Sequence, residues 1–472
     1  MVGGPSLGKE LLEQAKWIED EAHAVGLDFF EVVFEMLDAR DVNAVAAYMG
    51  FPVRYPSWRF GMENERLQKG YSYGLSKIYE LVINNDPTYA YLVRSNSRME
   101  QKLVMAHVFG HADFFKHNVW FAPTERNMID VMSRHASRVR DYMNAVGQDE
   151  VERFMDLALS LDTLIDPYLA LRGHLRKKEP RKKSEGRAER ARRSLEAVSR
   201  SPLERTAAAD AAPPPEQNLT PFDVLGFLAE NAPLAGWQRD ILRIVRREAY
   251  YFMPQRMTKI INEGWASYWH SQLLTSRILD SSEIIEFADC HSGATAAAPG
   301  QINPYKLGID LFRHAADSGL DLFRLRRVHN DVSFVDEVFD EAFAQRHSLF
   351  IYERNKRTGK TEVAGRGWRD VKEELLKGLA WGGMPQIELV GEDEGELHLQ
   401  HCHDGRDLKL SEAGEMIRQI AVLWKAPVHL TTLEEGAGRR IVSDGTDVQV
   451  LETKTEGDDT GGDGESGEKK TG

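Results

Sequence analysis

Cysteine is scarce in this chain of 472 residues, which contains only Cys290 and Cys402. Two thiols cannot supply the disulfide framework that stabilises small secreted proteins. The first residues, MVGGPSLGKELLEQAKW, also lack the apolar run of a secretory leader. We therefore expect reduced cysteines and a cytoplasmic location.

The chain also lacks a surplus of basic residues and a long apolar run. Lysine and arginine together number 60 against 74 aspartates and glutamates, which gives a formal net charge of −14. Proteins that bind nucleic acid through its phosphates normally carry a positive surplus, so we expect no nucleic-acid partner. No stretch approaches the roughly 20 apolar residues of a transmembrane helix, so we expect no membrane span.

The sequence does contain many apolar residues in helical spacing. Hydrophobic residues make up 42% of the chain and charged residues 28%, values typical of a globular protein with a sizeable core. Helical periodicity runs through most of residues 6–171 and 218–348, including residues 29–37. From about residue 349 short strand-like runs and turn residues replace it, and the Asp404-Gly405 turn predicts a hairpin between residues 396–403 and 407–410. The sequence therefore predicts a mainly α fold, in which a large helical domain precedes a small C-terminal α+β domain.

Composition suggests further divisions of the chain. Residues 172–217 are rich in arginine, lysine, alanine and proline and poor in large apolar side chains, which predicts a flexible basic linker or insertion. Residues 1–171 and 218–348 are then two halves of one helical core, and residues 349–450 form the α+β module. Residues 451–472 are rich in glycine and acidic residues, which predicts a disordered tail. We expect the α+β module to serve docking or assembly.

The stretch SRMEQKLVMAHVFGHADFFKHN, at residues 97–118, contains the first candidate site. Ser97 and Glu100 fit a capping box, so we expect a helix to begin here. On that helix His107 and His111 are about one turn apart, and both imidazoles can bind the same metal ion. The same spacing also occurs in ordinary packing helices, so by itself it does not decide between the two interpretations.

A second stretch, INEGWASYWH, repeats this pattern far downstream. Glu263 and His270 share one helical face, and Asn262 precedes the glutamate. A carboxylate on an apolar and aromatic helix needs a polar partner once it is buried. We therefore predict that the two helices meet and that their polar groups converge.

Together the two motifs resemble the gluzincin arrangement, in which HExxH is followed far downstream by NExxA. The matching residues here read HVFGH at 107–111 and NEGWA at 262–266. In gluzincins two histidines and a glutamate bind zinc. The resemblance implies that His107, His111 and Glu263 bind a divalent metal, with zinc as the first candidate.

At the scale of the whole chain the sequence resembles the SpoVR family, named for stage V sporulation protein R. This resemblance is carried by YPSWRFGMENERL (55–67), KGYSYGLSKIYELVINNDPTYAYLVRSNS (69–97), KLVMAHVFGHADFFKHN (102–118), INEGWASYWH (261–270) and NPYKLG (303–308). It implies a role in forming the peptidoglycan spore cortex or, in relatives from bacteria that do not sporulate, in stress and stationary-phase responses. It also implies protein partners, namely a serine kinase and a von Willebrand-like protein.

One position departs from the gluzincin pattern. Hydrolytic gluzincins carry a glutamate directly after the first histidine, where it accepts a proton from the attacking water. Here that residue is Val108, which cannot accept a proton. His270, Glu63 and Glu65 are the candidates for a substitute base, although no spacing in the sequence places them beside a metal.

Two further stretches contain histidines that could bind a ligand. Cys290 and His291 precede a run of small residues that we interpret as a loop. Adjacent residues seldom point the same way, so we keep His291 alone as a candidate ligand or substrate contact. His401 and His403 alternate with Cys402 along a predicted strand, and without a third ligand nearby in the sequence we interpret them as an exposed sheet face.

Two functions of different classes fit these patterns. In the first, the protein is a metal-dependent hydrolase or related enzyme that acts on peptidoglycan precursors or peptide bonds, with His270 as acid or base. In the second, it is a regulatory or scaffolding protein whose gluzincin-like core has lost its base, while partner proteins carry out the chemistry. Val108 favours the second function, whereas the clustering of polar residues on two helices favours a site of some kind.

Overall fold

The computed structural model describes residues 7–72, 80–177, 219–295, 302–349, 351–354, 361–365 and 367–453. The chain divides into two units. Unit 1 comprises Met1–Glu152, Pro167–Asn218 and Arg247–Gly383, and unit 2 comprises Arg153–Asp166, Leu219–Arg246 and Met384–Gly472. The domain boundaries expected from composition, at residues 171, 217, 348 and 450, stay predictions.

Unit 1 begins with three helices and a small mixed sheet. Its first elements are α1 (Lys9–Ala24), β1 (Val32–Leu37), α2 (Ala39–Ala47), α3 (Trp58–Ser72), β2 (Glu80–Ile83) and β3 (Thr88–Val93). Strand β3 lies between β1, to which it is parallel, and β2, to which it is antiparallel. The helical prediction for residues 29–37 is wrong, because periodicity does not distinguish a helix from a strand in so short an apolar run. Val32, Val33 and Phe34 favour a strand, and pairing with β3 stabilises it.

Most of the remaining described residues outside the C-terminal sheet are helical. The helices are α4 (Arg98–His117), α5 (Met128–Val146), α6 (Gln148–Ser160), α7 (Leu169–Lys177), α8 (Val224–Asn231), α9 (Gly236–Met257), α10 (Lys259–Leu273), α11 (Ile284–Ala294), α12 (Pro304–Asp317), α13 (Leu322–Val328), α14 (Asp331–Val338), α15 (Glu341–His347) and α16 (Trp368–Leu379). A π-helical turn, Leu274–Ile278, extends α10, and β4 (Ile351–Arg354) pairs with β5 (Thr361–Gly365). Among the described helices, none is both long and apolar enough to cross a membrane. The expected mainly α fold is confirmed.

Helix α4 is buried along nearly its whole length. It begins as the sequence predicts, because the hydroxyl of Ser97 accepts from the backbone N–H of Glu100 at 3.1 Å and the Glu100 carboxylate accepts from the Ser97 N–H at 2.7 Å. The helix packs against α1 and α10. Few of its side chains reach water, so polar residues on α4 depend on neighbouring elements for partners.

Glycines allow α10 to lie very close to two other helices. A Cβ atom on Gly110 of α4 would lie 2.7 Å from the Cα of Ala266 in α10. A Cβ atom on Gly264 of α10 would lie 2.5 Å from the backbone carbonyl carbon of Gly308 in α12. Both distances are shorter than side-chain carbons tolerate, so larger residues would push these helices apart. The close packing brings the polar residues of α4 and α10 within contact distance.

Unit 2 contains a five-stranded sheet, besides α8 and parts of α6 and α9. The elements of its C-terminal part are β6 (Ile387–Asp393), β7 (Glu396–His401), α17 (Leu410–Trp424), β8 (Val428–Glu434), β9 (Ala437–Ser443) and β10 (Val448–Thr453). The strand order is β10-β9-β8-β7-β6, in which only the β7–β8 pair is parallel. Helix α17 is the crossover that a parallel pair requires, and it packs against β8 and β9. The small C-terminal α+β domain is therefore confirmed.

The hairpin predicted around Asp404 and Gly405 is wrong. Strand β7 pairs with the preceding strand β6 through a turn at Glu394 and Gly395, which both have positive φ angles of 50° and 88°. After His401 the chain continues into α17 instead of returning as a strand. The Asp-Gly pair at 404–405 and the Glu-Gly pair at 394–395 both lie between apolar runs, so the local sequence does not show which of them forms the hairpin turn. The pairing of whole strands decides it.

Two predicted segments fall mainly outside the described residues. Of the predicted linker, residues 172–177 belong to α7 and residues 178–217 are not among those described. Of the predicted tail, residues 451–453 belong to β10 and residues 454–472 are not among those described.

Candidate metal centre

His107, His111 and Glu263 meet in unit 1, where α4 packs against α10. The Nε2 atoms of His107 and His111 lie 3.4 and 3.5 Å from Oε2 of Glu263. The three residues are only 3%, 6% and 6% exposed. One ligand atom from each lies within 4.8 Å of the other two. The structure thus brings together the three residues that the gluzincin resemblance assigns to a metal.

A hydrogen bond fixes the orientation of the His111 imidazole. Its Nδ1 lies 3.0 Å from Oδ1 of Asn262, the residue before Glu263. An amide oxygen only accepts, so Nδ1 of His111 carries the proton. The Nε2 atom, which faces Glu263, is then the nitrogen that would bind a metal once it has lost its proton. Metal-binding histidines in proteins are oriented in this way by a hydrogen bond to their other ring nitrogen.

A chain of three histidines extends from the same cluster. Nδ1 of His107 lies 2.8 Å from Nδ1 of His270, and Nε2 of His270 lies 3.4 Å from Nδ1 of His291. One arrangement of protons satisfies both contacts and leaves a lone pair on Nε2 of His107. In it, His107 donates from Nδ1 to His270, which donates from Nε2 to His291. Burial, with the nearby His107 and His291, holds the pKa of His270 well below its ordinary value, which favours the neutral ring that this arrangement needs.

The carboxylate of Glu263 is ionised and only partly satisfied. Its Oε1 accepts from Nζ of Lys259 at 2.6 Å, whereas Oε2 is buried and lies at the longer distances of 3.4 and 3.5 Å from Nε2 of His107 and His111. Burial alone would raise the pKa of Glu263, but hydrogen bonds from protonated His107 and His111 and the ammonium of Lys259 hold it well below its ordinary value. A metal ion would take the place of those Nε2 protons. A buried anionic oxygen without a hydrogen bond is energetically costly, and a bound cation would remove that cost.

The donor atoms fit a zinc-type ion. Two imidazole nitrogens and one carboxylate oxygen are the donor set of many catalytic zinc sites. Ligand atoms bound tetrahedrally at about 2.0–2.1 Å lie roughly 3.4 Å from one another. The two nitrogen–oxygen separations in the cluster are 3.4 and 3.5 Å. The residues present therefore match both the chemistry and the spacing that a divalent metal requires.

Two buried aspartates hold α10 in position. Asp331, at the start of α14, accepts from the backbone N–H groups of Ile260 and Ile261 at 3.0 and 2.9 Å. Asp113 of α4 accepts from the indole N–H of Trp265 at 2.8 Å. Burial raises the pKa of Asp331 to about 7, although the backbone N–H groups act in the opposite direction. These bonds fix the position and the rotation of α10, and with them the direction of its carboxylate ligand.

Glu63 and Glu65, two of the candidates for a substitute base, lie on helix α3 and not on α4 or α10. Glu63 binds Arg66 through two hydrogen bonds of 2.8 and 2.5 Å, and Glu65 lies 3.6 Å from Lys69. Their side chains are 39% and 73% exposed on α3, in contrast to the buried cluster. Val108, which replaces the usual glutamate, is completely buried in the hydrophobic core. A catalytic role for Glu63 or Glu65 stays a prediction.

Two residues beside the cluster were not identified from the sequence. Lys259 binds Glu263 one helical turn away, and the i to i+4 spacing of the pair was the signal that could have shown it. Tyr305 of α12 places its ring centroid 6.3 Å from that of His107 and 5.6 Å from Nζ of Lys259. No local pattern links Tyr305 to either motif, because only the packing of α12 on α10 brings it there.

Two predictions about other histidines are wrong. Cys290 and His291 lie on helix α11, not in a loop, because Ser292, Gly293 and Ala294 continue that helix. Residues 296–301 of the predicted loop are not among those described. His401 is not on an exposed sheet face but is 5% exposed, with Nδ1 2.9 Å from Oγ1 of Thr432. It alternates along β7 with outward-facing residues, so it shares the buried face of the sheet. His403 follows β7 and is not part of the strand.

Comparison with known proteins agrees with the resemblance seen in the sequence. A family model described as SpoVR like protein matches residues 7–384. A relative from Escherichia coli (strain K12), "Uncharacterized protein YcgB", is 32% identical over 329 residues, which cover 63% of this chain and 61% of that protein. The aligned region thus spans less than two thirds of the relative's length. No solved structure matches the chain.

The matched region contains every residue of the candidate metal centre, whereas the five-stranded sheet of unit 2 begins just beyond it. The family model covers far more than half of the 472 residues. The chain therefore belongs to the SpoVR-like family.

Proposed function

We propose that His107, His111 and Glu263 bind one divalent metal ion, with zinc as the first candidate, and that this centre is the functional site of the protein. The observation that carries the proposal is the hydrogen bonding behind the ligands. Asn262 and His270 bind the Nδ1 atoms of the two imidazoles, so the Nε2 atom of each ring faces Glu263 and is the nitrogen left for a metal.

The chemistry best supported by such a centre is metal-assisted hydrolysis. A divalent ion held there would polarise a carbonyl or phosphoryl oxygen of a substrate. Val108 cannot move a proton, so the proton transfer falls to another group. His270 is the nearest candidate. Its contact with His107 supports a role in positioning that ligand. Its contact with His291, at the half-buried end of α11, supports proton exchange along the chain of histidines.

Family membership supports the biological setting of the proposal. The resemblance to the SpoVR family suggests a role in forming the peptidoglycan of the spore cortex, or in stress and stationary-phase responses. The substrate class is then a peptide bond or a peptidoglycan precursor on the cytoplasmic side. A serine kinase and a von Willebrand-like protein are the partners that the resemblance suggests, and the α+β module of unit 2 is our candidate docking domain.

A second function, regulation or scaffolding without catalysis, is favoured by one specific observation. Val108 occupies the position of the missing base and is fully buried, and the three ligands are at most 6% exposed. A metal in such a place stabilises the contact between α4 and α10 even if no substrate reaches it. In this case partner proteins would carry out the chemistry.

The first experiment is the metal content of the full chain, purified without a histidine tag and dialysed. We expect the wild type to hold about one zinc or iron per chain more than Glu263→Ala. Glu63→Gln is the matched control, because it also removes one carboxylate but leaves the cluster intact. A wild type without metal, or a Glu263→Ala chain that holds as much metal as the wild type, would refute the metal centre.

Activity then separates the two functions. If the centre is catalytic, metal-loaded wild type should cleave peptidoglycan fragments or model peptides, and Glu263→Ala should lose at least about a hundredfold in kcat/KM. His270→Gln should retain metal and lose most of the rate. A metal-loaded wild type that cleaves no such substrate while unfolding at a lower temperature after chelation would favour the scaffold.

A further inference from the structure

The sheet of unit 2 carries a second group of metal-ligand side chains. His398 on β7 and His429 on β8 are direct partners in the parallel register. Their rings are stacked, with centroids 4.7 Å apart and planes inclined by 13°. Glu396 lies two residues before His398, on the same face of the strand, and its Oε2 is 2.7 Å from Nε2 of His429. Ligand atoms from all three residues lie within 4.8 Å of one another.

The strands that carry these residues are held rigidly. Leu397, Leu399, Val428 and Leu430 alternate with them and are completely buried. The three polar residues lie on the opposite face and are half-buried. A neighbouring pair in a sheet whose other face is packed has little freedom to separate, so the two imidazoles and the carboxylate are held close together. The hydrogen bond of 2.7 Å between His429 and Glu396 would have to open to the separation of roughly 3.4 Å between ligands of a tetrahedral ion.

An ordinary ion pair between His429 and Glu396 does not account for the whole group. Nδ1 of His429 is buried and makes no hydrogen bond to the described residues. Two imidazoles stacked face to face repel each other when both are protonated, whereas two neutral rings can share one cation. The carboxylate beside them would offset part of the charge of that cation.

We propose that Glu396, His398 and His429 form a second binding site for a divalent transition metal, with zinc as the ion expected from two nitrogen donors and one oxygen donor. The site belongs to unit 2 and shares no residue with the centre on α4 and α10. Because its ligands are half-buried, it leaves a coordination position open to water or to a side chain of another protein.

The test is a zinc titration of the full chain carrying Glu263→Ala, in which the first centre is disabled. After removal of metal by dialysis against a chelator, we expect this chain to bind one zinc at micromolar concentration. Adding His398→Gln and His429→Gln should weaken that binding at least about tenfold. His403→Gln is the matched control, since it removes a histidine near the end of β7 that does not belong to the group.

Circular dichroism verifies that each variant is folded. If Glu263→Ala fails to fold, the same titration is carried out with His107→Gln as the change that disables the first centre. Binding that persists without His398 and His429 overturns the proposal, as does a folded Glu263→Ala chain that takes up no zinc. Failure of the first centre would instead appear as equal zinc uptake by the wild type and Glu263→Ala, so the two results are distinguishable.

Discussion

At the scale of single residues, the proposed metal centre depends on which nitrogen of each imidazole carries the proton. Asn262 fixes this for His111, because an amide oxygen accepts only from an N–H. His270 fixes it for His107, provided that His270 itself is neutral, and burial ensures that it is. The residues behind the ligands therefore matter almost as much as the ligands themselves.

Asn262 allows this dependence to be tested without touching a ligand. Asn262→Ala removes the acceptor of the His111 Nδ1–H, and we expect zinc affinity to fall about 10- to 100-fold. Asn262→Asp keeps an acceptor in the same place and should retain the affinity. Competition with a chromophoric zinc chelator measures both. An equal loss in the two variants would mean that Asn262 acts through packing instead of orienting the ring.

At the scale of helices, the site depends on close contact among α4, α10 and α12. Gly110 meets Ala266 and Gly264 meets Gly308, in each case with less space than one methyl group needs. Two backbone N–H groups in the first turn of α10 also donate hydrogen bonds to Asp331. A ligand on α10 can face the histidines of α4 only at this separation and rotation.

Gly264→Ala tests the role of close helix packing. The new methyl group would lie 2.5 Å from the backbone of Gly308, so we expect α10 to shift and the free energy of unfolding to fall by about 1–3 kcal/mol. Metal affinity should fall as well, because Glu263 moves with the helix.

Gly61→Ala is the control for this prediction. It lies in α3 and a Cβ there would meet nothing within 4 Å. An alanine at this helical position should stabilise the chain by up to about 1 kcal/mol. Urea unfolding of both variants provides the comparison, and a Gly264→Ala chain as stable as Gly61→Ala would contradict the packing argument.

At the scale of the whole molecule, the free energy of unfolding should depend on pH through Asp331. Its pKa is about 7 in the folded chain against an ordinary value of 3.8, and the main cause is burial. The folded state thus keeps a proton that the unfolded chain has lost between these values. The stability contributed by Asp331 is fully present below about pH 4 and is lost as pH rises through 7.

Asp331→Asn removes this titration. Between pH 5 and 8 the ionisation of Asp331 should lower the free energy of unfolding of the wild type by about 3 kcal/mol. The variant has no ionisable group at this position, so this contribution to its pH dependence should be missing. Urea unfolding at several pH values measures the two slopes. Parallel curves for the two proteins would show that the carboxyl group of Asp331 has the same pKa in the folded and unfolded chains.

The sequence predicted the local features that depend on neighbouring residues. The capping box at Ser97 and Glu100 is confirmed because its two hydrogen bonds join residues three apart. The mainly α fold, the small C-terminal α+β domain and membership of the SpoVR-like family are confirmed as well. Residues 29–37 were misassigned because periodicity does not distinguish a helix from a strand in so short a run, and the pairing with β3, distant in the chain, decides it.

By itself, the sequence determined the chemistry available to this protein: two histidines one turn apart, a distant Asn-Glu pair and a valine where a base would stand. Only the tertiary structure decided that His107 and His111 face Glu263, that His270 joins His291, and that His398 lies against His429. The physical reason is that such contacts join residues far apart in the chain. Helix packing and strand register create them, and no local pattern encodes either one.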